Sequence, residues 1–304
     1  MCNSNKIAKT DTLRNEWKIW IKVFSAVTLM LSLVLSFVQL VIDPFDVWKS
    51  PSIAGLNNVR VGKKTERLRK LYEYALYKPS VLFIGNSRTK YGIPPYWPNT
   101  PEEDVYNFGL DSMAGIEILR TCESLVKIHR PNIIVLMIDT LTFYQTELEV
   151  PEQFSQERLN AYAFSRMTGL LYKLQETVFT IDALNKSKET VRKSRKLPHV
   201  LEKNDRGYLS KYGNSKRLNV DKVRKIVWRC IFTSKARHGS KPFVDAIIES
   251  VRKLKQENIE IFLVWNPEYA ISQLLIDETA KSKTFEKIKR RLVEVTPLWD
   301  FRTI

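Results

Sequence analysis

Residues 81–88 read Val81-Leu82-Phe83-Ile84-Gly85-Asn86-Ser87-Arg88, and the reading of this stretch decides the fold. Four apolar residues without polar alternation suit a strand buried on both faces, as in a parallel sheet. Gly85-Asn86 stops the run, and Ser87 follows where a helix would begin. The same pattern recurs along the chain. Residues 105–108 are closed by Gly109, 133–138 by Asp139, and 259–265 by Asn266-Pro267, while 295–301 offers a fifth run. Helical patterns lie before the first run, at 65–77, and between later ones, at 114–128 and 242–256. In the first of these, Leu68, Leu71, Tyr72, Ala75 and Leu76 share a face. Strands alternating with helices predict a doubly wound α/β domain. Residues 150–240 interrupt this rhythm with an insertion that has helical patches around 161–178 and 220–232.

Upstream, residues 23–42 are twenty consecutive residues without a charge. At ~1.5 Å per residue they span about 30 Å, the thickness of a bilayer's hydrocarbon core. Trp17, Trp20 and Trp48 flank the run, where amphipathic rings favour the interface, and Lys22 can snorkel outward. A soluble core helix of this length would show a polar stripe. A signal peptide would have a shorter apolar run and a small-residue cleavage site, which 36–46 lacks. Lys6, Lys9, Arg14, Lys18 and Lys22 precede the run, and Asp43 and Asp46 follow it. The positive-inside rule then predicts a single-pass protein of the cytoplasmic (inner) membrane, with the main domain extracytoplasmic. The expected organisation is a cytoplasmic tail at 1–22, an anchor at 23–42, a turn-rich connector at 43–65 and the α/β domain at 66–304. A basic insertion interrupts that domain at about 150–241.

The net charge of +16 points to anionic partners. It is concentrated: residues 186–241 hold eighteen Lys+Arg against four Asp+Glu. Beside a membrane this stretch suits lipid headgroups or an anionic polymer. Nucleic acid is not expected, on topology and for want of a recognition motif. Cys2, Cys122 and Cys230 are far apart and lack metal-ligand spacing, so no metal site, cofactor or paired disulfide framework is expected.

In an open α/β sheet, sites form at the carboxyl ends of strands. Ser87 on its tight turn, Gly109 with a backbone N–H able to approach a substrate oxygen, and Asp139 all occupy such ends. The three blocks that carry them are VLFIGNSRTKYGI (81–93), VYNFGLDSMAGIE (105–117) and PNIIVLMIDTLTF (131–143). In this order they resemble the SGNH/GDSL hydrolase-like superfamily, most of all its membrane-anchored bacterial branch. Pattern and resemblance together predict a three-layer αβα domain with a mostly parallel, flavodoxin-like sheet. The resemblance implies ester chemistry on acylated surface polysaccharide, with Ser87 as nucleophile. The N–H groups of Ser87 and Gly109 would form an oxyanion hole, and Asn86, Arg88 and Asn107 would contact substrate.

Two departures from that family stand out. Asp139 occupies the position where an Asn is usual, and an ionised carboxylate there would repel an oxyanion, so its role is left open. The family's base is a His in a C-terminal D-x-x-H block, and none of His129, His199 and His238 has that context. The chain ends at Ile304, where the approach to that block would fall, so the expectation is a chain without its catalytic tail. Two functions follow: an ester hydrolase or acyltransferase homologue that is catalytically incomplete, or a non-enzymatic anchored subunit that holds an anionic polymer or a protein partner.

Overall fold

The computed structural model describes residues 4–58, 66–113, 115–139, 142, 155–196, 204–205, 208–209, 241–266 and 281–300. The chain forms two compact units, one of residues 1–61 and 173–200, the other of 62–172 and 201–304. The insertion is thus divided, and part of it belongs with the N-terminal segment.

The second unit is α/β. Its parallel strands are β1 (Val81–Gly85), β2 (Val105–Gly109), β3 (Ile133–Ile138), β4 (Glu260–Trp265) and β5 (Leu298–Asp300), in the order β2-β1-β3-β4-β5. This is the flavodoxin-like order, as expected. A two-residue ladder, Asn204–Asp205 with Tyr208–Leu209, is not part of this sheet, and its second strand lies against the helix of residues 87–92.

The helices follow from the order. The chain steps one way from β1 to β2 and the other way from there on. Right-handed crossovers therefore put the first connection on one face and the later ones on the opposite face. Helices α2 (Glu66–Tyr77), α4 (Gly115–Ile128), α8 (Lys241–Gln256) and α9 (Lys281–Val293) all pack on the face built from Leu82, Ile84, Tyr106, Phe108, Leu136 and Leu263. The other face is built from Val81, Phe83, Val105, Val135, Met137 and Val264. It meets Ile93 and Trp97, just after the short α3 (Ser87–Gly92). Trp97 stacks on Trp299 of β5 at 6.1 Å.

Helix α2 differs from its sequence reading. Leu76 is exposed, and the buried residues include Glu66, Lys70 and Glu73. A periodicity of apolar residues cannot register charged side chains that pair inside. Helix α9 was missed, although Phe285, Ile288 and Leu292, spaced at three and four, form its buried face. The expected patch at 161–178 is two helices, α5 (Gln156–Phe164) and α6 (Arg166–Thr177). The patch at 220–232, His199, His238 and Cys230 lie outside the described residues.

The first unit holds α1 (Ser4–Ile42), whose stretch Trp17–Ile42 is long and apolar enough to cross a membrane. The helix begins well before the uncharged run, so most of the basic tail is helical too. After it the chain folds back. The buried Asp43 carboxylate accepts hydrogen bonds from the Val47 and Trp48 N–H groups at 2.9 and 3.1 Å. Asn57 Nδ2 donates to the carbonyls of Val41 (2.8 Å) and Pro51 (3.0 Å), so a side chain satisfies a carbonyl at the helix end. Trp48 Nε1 donates to Thr177 Oγ1, and Lys173 Nζ lies 4.1 Å over the Trp48 ring. Helix α7 (Ile181–Lys196) packs on α1, with Ser187 Oγ bonded to Gln39 Oε1.

Gly109 shows how closely α3 sits on the sheet. A Cβ there would lie 2.3 Å from Lys90 N and 2.7 Å from Lys90 Cα, backbone atoms that cannot swing aside. Gly109→Ala is expected to destabilise by about 1–3 kcal/mol through overpacking. Gly92→Ala, with nothing within 4 Å of its Cβ, is expected to stay within about 0.5 kcal/mol of wild type. Urea midpoints of the two variants check this, and equal midpoints would refute the close approach.

Candidate functional site

The sheet order reverses between β1 and β3, and their carboxyl ends open the crevice where ligands bind in such sheets. Asn86, Ser87 and Arg88 follow β1, and Asp139 follows β3. Asn86 is the N-cap of α3, its Oδ1 accepting from Arg88 N at 3.0 Å. Its Nδ2 donates to Asp139 Oδ2 at 2.5 Å, and Arg88 Nη1 reaches the same oxygen at 2.9 Å. The other carboxylate oxygen, Oδ1, accepts from Thr142 N and Thr142 Oγ1, each at 2.9 Å. Asp139 is fully buried and every one of these bonds is intramolecular. The carboxylate works as a clamp joining the β1 turn to the β3 end.

Ser87 is the first residue of α3 and is half-buried. Among the described residues its hydroxyl has no hydrogen-bond partner, so no base is seen activating it. His129 lies at the opposite, amino end of the sheet, after α4 and before β3. Tyr74 OH donates to its carbonyl at 2.7 Å. Burial, and then the charge of Lys78, push its pKa down.

Two further residues singled out in the sequence are turned inward. Asn107 Nδ2 donates to the carbonyls of Thr89 (2.8 Å) and Ile93 (2.6 Å), while its Oδ1 accepts from Gly109 N at 2.8 Å. Asn107 is therefore a buried strap from β2 to the middle of α3 and to the residue that caps its C-terminus. The Gly109 N–H, expected in an oxyanion hole, is satisfied within the chain in this structure.

Sequence reading did not single out the polar layer behind the site. Lys70 of α2, fully buried, donates to the carbonyls of Asn107 (2.9 Å) and Gly109 (2.5 Å). Burial lowers its pKa to about 7 against the opposing pull of Glu66. Lys90 of α3 bridges Glu66 at 2.6 Å and Asp111 at 3.1 Å. Burial works against its charge, but Glu66 and the bonds from Glu66, Tyr91 and Asp111 prevail, and its pKa is raised. Arg67 holds Glu117 with two bonds, at 2.6 and 3.0 Å. Asn266, at the end of β4, was also passed over. Its backbone N–H donates to the Ile138 carbonyl at 2.8 Å, which sets it beside Asp139. Among the described residues its buried Nδ2 has no hydrogen-bond partner. A buried polar atom left this way is costly, and sites are where such atoms are kept.

Among the described residues no group of His, Cys, Asp and Glu could hold a metal ion. No known family, curated protein or solved structure matches the chain.

Proposed function

We propose that this is a membrane-anchored protein of the SGNH-like ester-processing type, with Ser87 as the residue that takes an acyl group. One observation carries the reading. Ser87 starts the helix after β1 at the switch point, with its hydroxyl free of intramolecular bonds among the described residues and the Asp139 clamp beside it. The anchor is α1, the N-terminus faces the cytoplasm and the α/β unit faces outward, on the charge of the flanks. An acylated glycan of the cell envelope is the substrate class. The acyl carbon would be attacked by Ser87 Oγ, and Asn266 Nδ2, without a partner among the described residues, is a donor at the same carboxyl end of the sheet.

A second reading has its own observation. Gly109 N–H, Asn107 and Asp139 are all satisfied internally, which is how a non-catalytic fold is stabilised. On this reading the unit is an anchored subunit that binds an anionic polymer or a protein partner.

Ester turnover separates the two. A positioned base contributes roughly 10²–10⁴-fold, so the full chain in detergent is expected to cleave short acyl esters slowly. Ser87→Ala is expected to bring that rate to the buffer level. A rate indifferent to Ser87→Ala, in a variant with an unchanged circular dichroism spectrum, would remove the first reading and leave the second.

A further inference from the structure

Helix α7 carries two separate stripes. Ala183, Ser187, Thr190 and Ser194 recur at four, three and four residues and are buried. Ser187 is bonded to Gln39, three residues before the end of α1, which fixes α7 within a turn of where the apolar run stops. At 3.6 residues per turn, Ile181, Leu184, Lys188, Arg192 and Arg195 fall within an arc of about 80°, centred about 130° round the helix from the buried stripe. All five are exposed. The stripe is apolar where it starts and basic beyond. Ile181 is 77% exposed, Leu184 40%, and Phe179 just before the helix 65%. Lys186 and Lys193 pair with Glu189 at 3.5 and 2.9 Å, off this stripe.

Large apolar side chains exposed beside the end of a membrane-spanning helix, in line with three bases, match the boundary of an anionic bilayer, which offers acyl chains and phosphates together. We propose that α7 is a membrane-surface helix that docks on anionic lipid headgroups on the exit side of α1. Phe179, Ile181 and Leu184 enter the boundary between headgroups and acyl chains, and Lys188, Arg192 and Arg195 meet lipid phosphates. The inference rests on α1 spanning the bilayer and is independent of any chemistry at Ser87. Its consequence is mechanical: α7 and α1 together give the anchor two points of attachment.

The test uses the full chain with Cys2, Cys122 and Cys230 replaced by alanine, in nanodiscs of neutral phosphatidylcholine or of phosphatidylcholine with phosphatidylglycerol. A nitroxide is placed at Ile181→Cys, and at Leu31→Cys as a reference inside the bilayer. Relaxation by oxygen against that by a water-soluble nickel chelate reads the depth of each label. The Leu31 label is expected in lipid in both discs. The Ile181 label is expected to move from nickel-dominated to oxygen-dominated relaxation when phosphatidylglycerol is present. That shift should be lost at about 1 M salt, where the Debye length falls to about 3 Å. It should also be lost in Lys188→Gln/Arg192→Gln/Arg195→Gln, whose substitutions are all at exposed positions. An Ile181 label equally wet in both discs overturns the proposal. Equal burial in both discs overturns its anionic partner, and a Leu31 label in water overturns it together with the anchor.

Discussion

Asp139→Ala is expected to lower the stability of the α/β unit by about 3 kcal/mol or more. The size follows from what the carboxylate holds. Asn86 Nδ2 and Thr142 N are aimed at it from inside the protein, and each buried donor left without a partner costs about 1–3 kcal/mol. Arg88 contributes less, because its side chain is 23% exposed and can turn to water. Asp139→Asn keeps the shape but presents an NH₂ to donors at one of its two ends. It is expected to fall between wild type and alanine. Urea unfolding of the full chain in detergent, followed by tryptophan fluorescence, measures both variants. A cost below about 1 kcal/mol for alanine would show that Asp139 is not a clamp. It would return Asp139 to the site as a group free to meet a substrate.

The clamp also explains why the strand ends were legible and their roles were not. Each parallel strand is an unbroken apolar run because both faces are covered, and such runs are visible in any sequence. The turn residues that close them are visible for the same local reason: Gly85 and Asn86 stop β1, Gly109 stops β2 and Asp139 stops β3. What a polar side chain does at a strand end depends on residues far away in the chain. Asn107 reaches Ile93, fourteen residues back, and Asp139 reaches Asn86, fifty-three back. No spacing rule encodes those pairs, so residues expected to face a substrate proved to face one another. The long apolar helix was legible because a span of uncharged residues is a one-dimensional signal. The face of α7 that meets α1 was not, since Ala183, Ser187, Thr190 and Ser194 look like any soluble helix until Gln39 is found opposite.

Lys70 yields the largest pH effect. Its pKa is about 7 in the folded protein, against 10.5 for an unperturbed lysine. Between those values the unfolded chain holds a proton that the folded one has released, so stability rises with pH across the window. Below pH 7 both states carry the proton and this contribution is flat. Raising the pH from 7 to 9.5 should therefore stabilise wild type by about 3 kcal/mol through this group alone, at about 1.4 kcal/mol for each tenfold step in proton concentration. Other groups titrate nearby. Lys173, lowered to about 8 by burial, adds a slope of the same sign. Burial pushes Cys122 up to about 12 and raises Tyr74 and Tyr106, and these oppose it at the alkaline end. Lys70→Met keeps all four and removes one, so the difference between variant and wild type isolates the lysine. Methionine gives up the bonds to the Asn107 and Gly109 carbonyls at every pH, which offsets the two curves without tilting them. Wild type is expected to gain on Lys70→Met steadily from pH 7 to 9.5. Parallel curves would mean that Lys70 stays charged throughout. The end of β2 would then rest on a buried ammonium held by Glu66, and the layer behind Ser87 would carry a full positive charge toward any acyl oxygen bound there.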